Sequence, residues 1–163
     1  MLAGAWVGTP APSEWAMPKE PLIHALADAD IEGTIGLWTE CGLTEPWNDP
    51  RLDIERARAS GAAEILIAAD ARGRIVASVM AGNDGHRGWL YYLAVSPELQ
   101  GTGLGRRMVN AAEDWLKARG VVKLMLMIRP SNTRVRGFYE ALGYAEQQRV
   151  LMVRWLDGRP MTP

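Results

Sequence analysis

The sequence predicts an α/β domain in which helices cover both faces of a central sheet, and three observations predict it. Trp89-Leu90-Tyr91-Tyr92-Leu93-Ala94-Val95 is an uninterrupted apolar run of strand length, which implies burial on both faces. The stretch from Gly103 to Arg119 places Leu104, Met108, Ala111, Ala112, Trp115 and Leu116 on one helical face. Between the two lies Gln100-Gly101-Thr102-Gly103-Leu104-Gly105, a glycine-rich turn that delivers a buried strand to a helix N-terminus.

Composition narrows the class. A chain of 163 residues, 48% hydrophobic and 23% charged, suits one domain with a sizeable core. A net charge of −1 leaves no basic footprint, so nucleic acid is not an expected partner. Cys41 is the only cysteine, and His24 and His86 are the only histidines; an internal disulfide is excluded and no metal site is expected. Nothing approaches the roughly 20 apolar residues of a membrane span, and the N-terminus lacks the basic start of a signal peptide. A soluble, cytoplasmic protein with no membrane partner is therefore expected.

The elements follow in order. Residues 1–20 carry Pro10, Pro12 and Pro18 beside Trp6 and Trp15, and read as an arm without regular structure. Residues 21–157 form the domain and 158–163 a tail. A strand is expected over Leu22 to Leu26, then a helix from Ala29 to Cys41 capped by Asp28. Asp49 before Pro50 marks the start of a second helix that ends near Ser60. Ala63 to Asp70 and Arg74 to Asn83 read as strands joined at Ala71-Arg72-Gly73, with Asp84-Gly85-His86-Arg87-Gly88 as the next turn. After the helix that Gly120 ends, a strand is expected over Lys123 to Arg129, a helix over Thr133 to Leu142, and one or two closing strands between Tyr144 and Trp155.

The glycine turn carries chemistry. A turn without Cβ atoms at Gly101, Gly103 and Gly105 lets backbone N–H groups converge on an anion at the positive end of a helix dipole, and a phosphate or pyrophosphate is the natural guest.

A second motif, Asn132 followed by Phe138-Tyr139-Glu140-Ala141-Leu142-Gly143-Tyr144, stands downstream of Leu93-Ala94-Val95-Ser96-Pro97 and the glycine turn. Together, in this order and spacing, they resemble the GNAT superfamily of acetyl-CoA-dependent N-acetyltransferases. The segments Pro46 to Pro50 and Asp84 to Gly88 are similar to a bacterial YpeA-type subgroup. The resemblance implies a three-layer fold with a mixed, largely antiparallel sheet and helices on both faces. It implies acetyl-CoA as cosubstrate, with backbone N–H groups of Gln100, Gly101, Thr102, Gly103, Leu104, Gly105 and Arg106 around its pyrophosphate. Leu93 and Val95 would offer main-chain groups to the pantetheine arm. Asn132 would bond the cofactor, although a helix N-cap explains it as well. Tyr139 would serve the departing thiolate, against the plainer role of a core tyrosine beside Phe138.

The proton acceptor is where this chain departs from the pattern. Polyamine acetyltransferases of the superfamily carry a glutamate where Tyr91 stands here, and ribosomal-protein alanine acetyltransferases carry one where Met127 stands. A lysine of pKa about 10.4 is neutral roughly once in 2,500 at pH 7, an α-amine near 7.8 roughly one time in seven, a difference of about 3.5 kcal/mol. An acceptor of modest pKa is therefore expected, or deprotonation through water held by Tyr91, Tyr92 or the Asp84-to-His86 turn. The stretch after the first helix offers Glu45, Trp47, Asp49 and Asp53 to an ammonium group, with caps and a buried tryptophan anchor as the plainer readings. Met80, Met108, Met125 and Met127 read as core filler.

The expected activity is direct acetyl transfer to a primary amine of a small molecule or amino acid. The alternatives are N-terminal acetylation of a protein or peptide, and a non-catalytic coenzyme A-binding regulatory module. Many members of the superfamily are dimers, and a homodimer involving Trp6 and Trp15 is the expected assembly.

Overall fold

The computed structural model describes residues 20–160. The expected arm lies outside the described residues except for Glu20. The chain divides into two compact units, one ending at Leu126 and the other beginning at Met127.

The first unit is a five-stranded sheet in the order β1-β2-β3-β4-β5. β1 (Leu22–Ala25), β2 (Ala63–Ala69), β3 (Ile75–Asn83) and β4 (Gly88–Val95) pair antiparallel in sequence, and β5 (Leu124–Met125) joins β4 in parallel. α1 (Ile31–Glu40) and α2 (Pro50–Ser60) share one core with the sheet through Leu37, Trp38, Ile54, Ala57, Ile65 and Ile67. Residues alternate across a strand, so Leu66 and Ala68 of β2 are buried on the opposite face, where α3 (Leu104–Lys117) packs against β2, β3 and β4. The expected layering is present.

Local signals explain most boundaries. Asp49 caps α2, its Oδ1 accepting from the amides of Arg51 at 2.9 Å and Leu52 at 3.3 Å, with Pro50 behind it. Asp70 holds the β2–β3 turn by accepting from the amides of Arg72 and Arg74. On α3 the buried residues are Leu104, Met108, Val109, Ala112 and Leu116; full burial of Met108 and Leu116 is worth about 1.5–3 kcal/mol each.

The structure corrects several expectations. Asp28 does not cap a helix starting at Ala29: Asp28–Asp30 is a single 3-10 turn, α1 starts at Ile31, and Asp28 instead accepts from Arg58 at 2.6 Å. The entry is closed by Asp30, whose carboxylate accepts from the Ala27 amide at 2.9 Å. β4 is not central. It is one strand from the edge, and Tyr91 is 41% exposed, because β5 spans only two residues and pairs only with Gly88 and Trp89. In the second unit α4 covers Thr133–Glu140, and no closing strand forms among described residues 144–160. Alternating apolar residues do not make a strand without a hydrogen-bonding neighbour, and Val150, Leu151, Met152 and Val153 are exposed there.

Gly88 marks where β4 meets α3. A Cβ there would stand 2.9 Å from Leu116 Cδ1 and 3.0 Å from Val121 Cγ1. Gly88→Ala is expected to lower unfolding free energy by about 1–3 kcal/mol in denaturant titration, by overpacking a site bounded from two sides.

Candidate active site

The first unit builds its site around a kink in β4. Tyr91 pairs with Met80 and Ala94 with Ser78, so Tyr92 and Leu93 together face the single residue Val79. This is a β-bulge. Tyr92 takes a φ of 50°, making it the one non-glycine residue of positive φ among the described residues. Such a backbone costs about 1–2 kcal/mol in an L-residue. Three contacts hold it, and a fourth ties two of its partners together. The Tyr92 ring stacks on Trp38 of α1 at 3.9 Å, and its carbonyl accepts from Ser78 Oγ at 3.0 Å. Trp38 Nε1 in turn donates to Ser78 Oγ at 2.8 Å, and the Tyr92 hydroxyl donates to Asp53 Oδ2 of α2 at 2.7 Å. Burial first, and then the Asp53 carboxylate, push the Tyr92 phenol well above its ordinary range, so it stays protonated and donating.

The bulge and the short β5 have one consequence. Among the described residues, the strand pairing of β4 on its β5 side ends at Trp89, so no ladder continues there alongside Leu93. Leu93 and Val95 are half-buried. The Val95 carbonyl is taken, however, by Gln100 Nε2 at 3.0 Å and by the Cys41 thiol at 3.5 Å. Gln100 therefore braces the turn from within.

The glycine turn follows directly. Gly101 and Gly103 have φ of 80° and 92°, and a Cβ at either would meet nothing within 4 Å. Glycine is required here by conformation, and the space above it is open. Thr102 turns its hydroxyl inward onto the Leu99 carbonyl at 2.7 Å. Helical hydrogen bonding begins with the Arg107 amide donating to Gly103 O at 3.2 Å, so the amides of Leu104 and Gly105 precede it at the positive end of α3. Gly105 already lies within α3. Arg106 is exposed in the first turn, while Arg107 is tied to Pro21 O at 2.9 Å. The approach to the turn is pinned by Glu98, which bonds both Ser96 Oγ and the Arg74 guanidinium.

Beside the bulge, about 200 Å³ of open hollow lies between Ser60 at the end of α2, Gly82, Asp84, Trp89 and Tyr91. Trp89 and Tyr91 stack at 6.4 Å, and Trp89 Nε1 donates to Asp84 Oδ2 at 2.8 Å. Asp84 is held at a pKa of about 2 by the Arg87 amide, the Trp89 indole and the His86 amide. His86 is an exposed turn residue whose amide serves Asp84. Trp47, expected as a buried anchor, is 53% exposed, and Asp49 is the α2 cap. Of the methionines expected as filler, Met80 and Met108 are buried and Met125 is half-buried, but Met127 is 57% exposed. Among the described residues no group of His, Cys, Asp and Glu is placed to hold a metal ion, and no helix is long and apolar enough to cross a membrane.

The second unit carries the other two candidates. Asn132 caps α4, its Oδ1 accepting from the Val135 amide at 3.2 Å. Tyr139 is the buried residue of α4, packed edge-on against Phe138 at 5.0 Å and Tyr144 at 5.2 Å. Its burial raises the phenol to about 12.

Sequence reasoning named Tyr92 and Asp53 separately and missed their bond. They are 39 positions apart. No local spacing signals such a pair.

A half-open sheet, a bulged strand and a glycine turn at a helix N-terminus define a class: an acyl-transfer domain of the acetyltransferase type. Residues 24–144 match the model of the acetyltransferase (GNAT) family, and the chain belongs to that family. It is 42% identical over 130 residues to an acetyltransferase of Yersinia enterocolitica, covering 80% of this chain and 92% of the relative. An acetyltransferase of Pectobacterium atrosepticum is 45% identical over 122 residues, 75% of this chain and 86% of the relative. In fold it is similar to the aminoglycoside acetyltransferase AAC(6')-Iy, with a TM-score of 0.72 at 20% identity, covering 82% of this chain and 97% of the other. Glucosamine-6-phosphate N-acetyltransferase of Arabidopsis thaliana gives 0.66 at 23% identity, over 83% and 98%. The protein is an acyltransferase with the GNAT fold.

Glu98 yields a test of the pinned turn. Ser96 first, then its own backbone amide and Arg74, lower its carboxyl from 4.5 to about 2. A depressed folded pKa contributes stability that is fully present above the unfolded value near 4.5 and is lost as pH falls toward 2. In Glu98→Gln the thermal midpoint is expected to decline less steeply between pH 4.5 and 2 than in the wild type, measured by circular dichroism.

Proposed function

We propose that this protein transfers an acetyl group from acetyl-CoA directly to a primary amine of a small molecule or amino acid. The observation that carries the reading is the glycine turn, left-handed at Gly101 and Gly103 in front of α3, immediately after the strand whose pairing on the β5 side ends at Trp89. The residues present fit coenzyme A: the space over the turn is clear, its polar side chains bond inward, and the α3 dipole favours a pyrophosphate. The amides from Gly101 to Arg106 are assigned to it. The Leu93 amide is assigned to the carbonyl oxygen where negative charge develops. Asn132, as an α4 cap, keeps only its amide nitrogen for the cofactor.

Acetyl-CoA supplies a thioester carbonyl: the amine's N–C bond forms, the C–S bond breaks and the thiolate leaves. Direct transfer fits the lone cysteine, because burial raises the Cys41 thiol and it is engaged with Val95 O. Tyr139 is assigned to the departing sulfur as a hydrogen-bond donor. With its phenol near 12 and a thiol near 8.5, full proton transfer runs uphill by about 5 kcal/mol, so donation without transfer is the role its burial supports. Tyr91, exposed on the rim of the hollow, is assigned to water or amine contact. The similar fold of AAC(6')-Iy, solved with a bisubstrate analogue of coenzyme A and acetylneamine, supports a small amine. The openness of the hollow beside Tyr91 supports a second reading, a peptide or protein N-terminus. A cytoplasmic homodimer remains part of the proposal.

Two experiments test it. Release of coenzyme A thiol is measured across amino acids, small amines, polyamines and short peptides; saturable turnover on one class is expected, falling about 100-fold in Tyr139→Phe. Silence on every amine with acetyl-CoA binding intact would instead identify a non-catalytic binder. Gly103→Ala, which forces alanine into a left-handed backbone, is expected to weaken acetyl-CoA binding at least about tenfold by calorimetry, with about 1–2 kcal/mol lost in stability.

A further inference from the structure

The hollow between the end of α2 and the start of β4 has a composition that selects one kind of guest. Its walls are Ala62, Ala63 and Gly82 with the rings of Trp89 and Tyr91, and Asp84 is the one charged residue that lines it. The other polar liners serve the chain itself. Ser60 Oγ donates to the Ala57 carbonyl at 2.7 Å and accepts from the Ala62 amide at 3.1 Å, and Asn83 Oδ1 accepts from the Gly85 amide at 2.9 Å. Recognition in the hollow therefore falls to one carboxylate and two aromatic rings.

Asp84 is fixed in place but not neutralised. Its Oδ1 accepts from the His86 amide at 2.8 Å and the Arg87 amide at 2.5 Å, and its Oδ2 from the Trp89 indole at 2.8 Å. These three donors are uncharged and fill three of about four acceptor positions, so the negative charge and one position on Oδ2 remain. The adjacent cation, Arg87, donates instead to the His86 carbonyl at 2.9 Å. The carboxyl, held near 2, is ionised at neutral pH, and its field reaches the other aromatic wall: after burial, Asp84 is the cause that raises the Tyr91 phenol.

Trp89 and Tyr91 lie 15° from parallel with ring centroids 6.4 Å apart. An indole that donates to a carboxylate gains electron density in its ring, and an electron-rich ring beside that carboxylate attracts a cation. A metal ion asks for several oxygen ligands, and among the described residues no group of His, Cys, Asp and Glu is placed to supply them. About 200 Å³ is the liquid volume of roughly seven waters, room for an ammonium or guanidinium head and a short alkyl stem.

Resting on the amine-acetylation reading, we propose that the hollow binds an organic cation, an ammonium or guanidinium head on an alkyl stem, over the Trp89 and Tyr91 rings and beside Asp84 Oδ2, and that this head belongs to the acetyl acceptor. Tyr91 is two positions from Leu93, at most about 7 Å of chain, so a head seated here lies within a short stem of the bulge. A nitrogen held as a cation has no lone pair to give. The head is a recognition handle separate from the nitrogen that reacts, and the acceptor class is an amine that carries a second basic group.

Binding is tested without turnover, on the whole protein saturated with coenzyme A, by following the Trp89 indole N–H in proton–nitrogen correlation spectra at fixed ionic strength. n-Butylguanidinium is expected to shift that resonance saturably, and its neutral isostere n-butylurea to bind at least about tenfold more weakly. Asp84→Asn weakens the butylguanidinium Kd about tenfold and Tyr91→Leu, which leaves the Asp84 turn alone, about threefold, while acetyl-CoA affinity stays within about twofold of wild type. In the amine assay butylguanidinium competes with the acceptor, and Asp84→Asn raises the acceptor KM about tenfold with kcat within about threefold. Butylurea binding as tightly as the cation, no saturable shift, or a Kd unchanged in both variants would overturn the site. Inhibition that does not compete with the amine, or a KM unchanged in Asp84→Asn, would overturn its role in acceptor recognition. A wild type that binds butylguanidinium yet acetylates no amine removes the amine-acetylation reading and the acceptor role with it, and leaves the cation site standing; turnover without cation binding does the reverse.

Discussion

The bulge in β4 is the constraint on which the remainder of the site depends. An L-residue does not rest at a φ of 50° by preference, and Tyr92 is kept there because three elements grip it at once. Trp38 from α1 stacks on its ring, Ser78 from β3 takes its carbonyl, and Asp53 from α2 takes its hydroxyl. Each contact is worth on the order of 1 kcal/mol, comparable to the strain, so the loss of any one is felt. The same indole that stacks on the ring also bonds the serine that holds the carbonyl, so the grip is a closed circuit.

Two geometric features accompany that kink. β4 and β5 part company after Trp89, and the strand's far end is aimed at a turn whose residues brace one another. Gln100 reaches back to Val95, Thr102 to Leu99, and Glu98 joins Ser96 to Arg74 on the neighbouring hairpin. The Gln100, Thr102 and Glu98 side chains are engaged in positioning the turn, so in the proposed function the anion falls to its main-chain N–H groups. A site built from backbone amides is rigid before its ligand arrives, and rigidity of this kind is what makes fixed dipoles effective.

Protonation of the aromatic residues shapes the chemistry in the same direction. Burial raises both the Tyr139 and the Tyr92 phenol above their ordinary range, so both stay protonated near neutral pH.

By itself the sequence determined the class of the fold, the capped start of α2, the buried face of α3 and the glycine turn, because each rests on residues a few positions apart whose spacing encodes a local geometry. It also determined the family likeness, through the turn and the Phe138 to Tyr144 segment. Tertiary structure alone decided that β4 lies beside a two-residue strand, that Tyr91 and Trp47 are exposed, that Gln100 faces inward, and that 144–160 forms no strand. It alone joined Tyr92 to Asp53. The reason is physical: a cap or a glycine turn is satisfied within one turn of chain, whereas strand pairing, burial and a hydrogen bond across 39 positions exist only once distant segments have packed together.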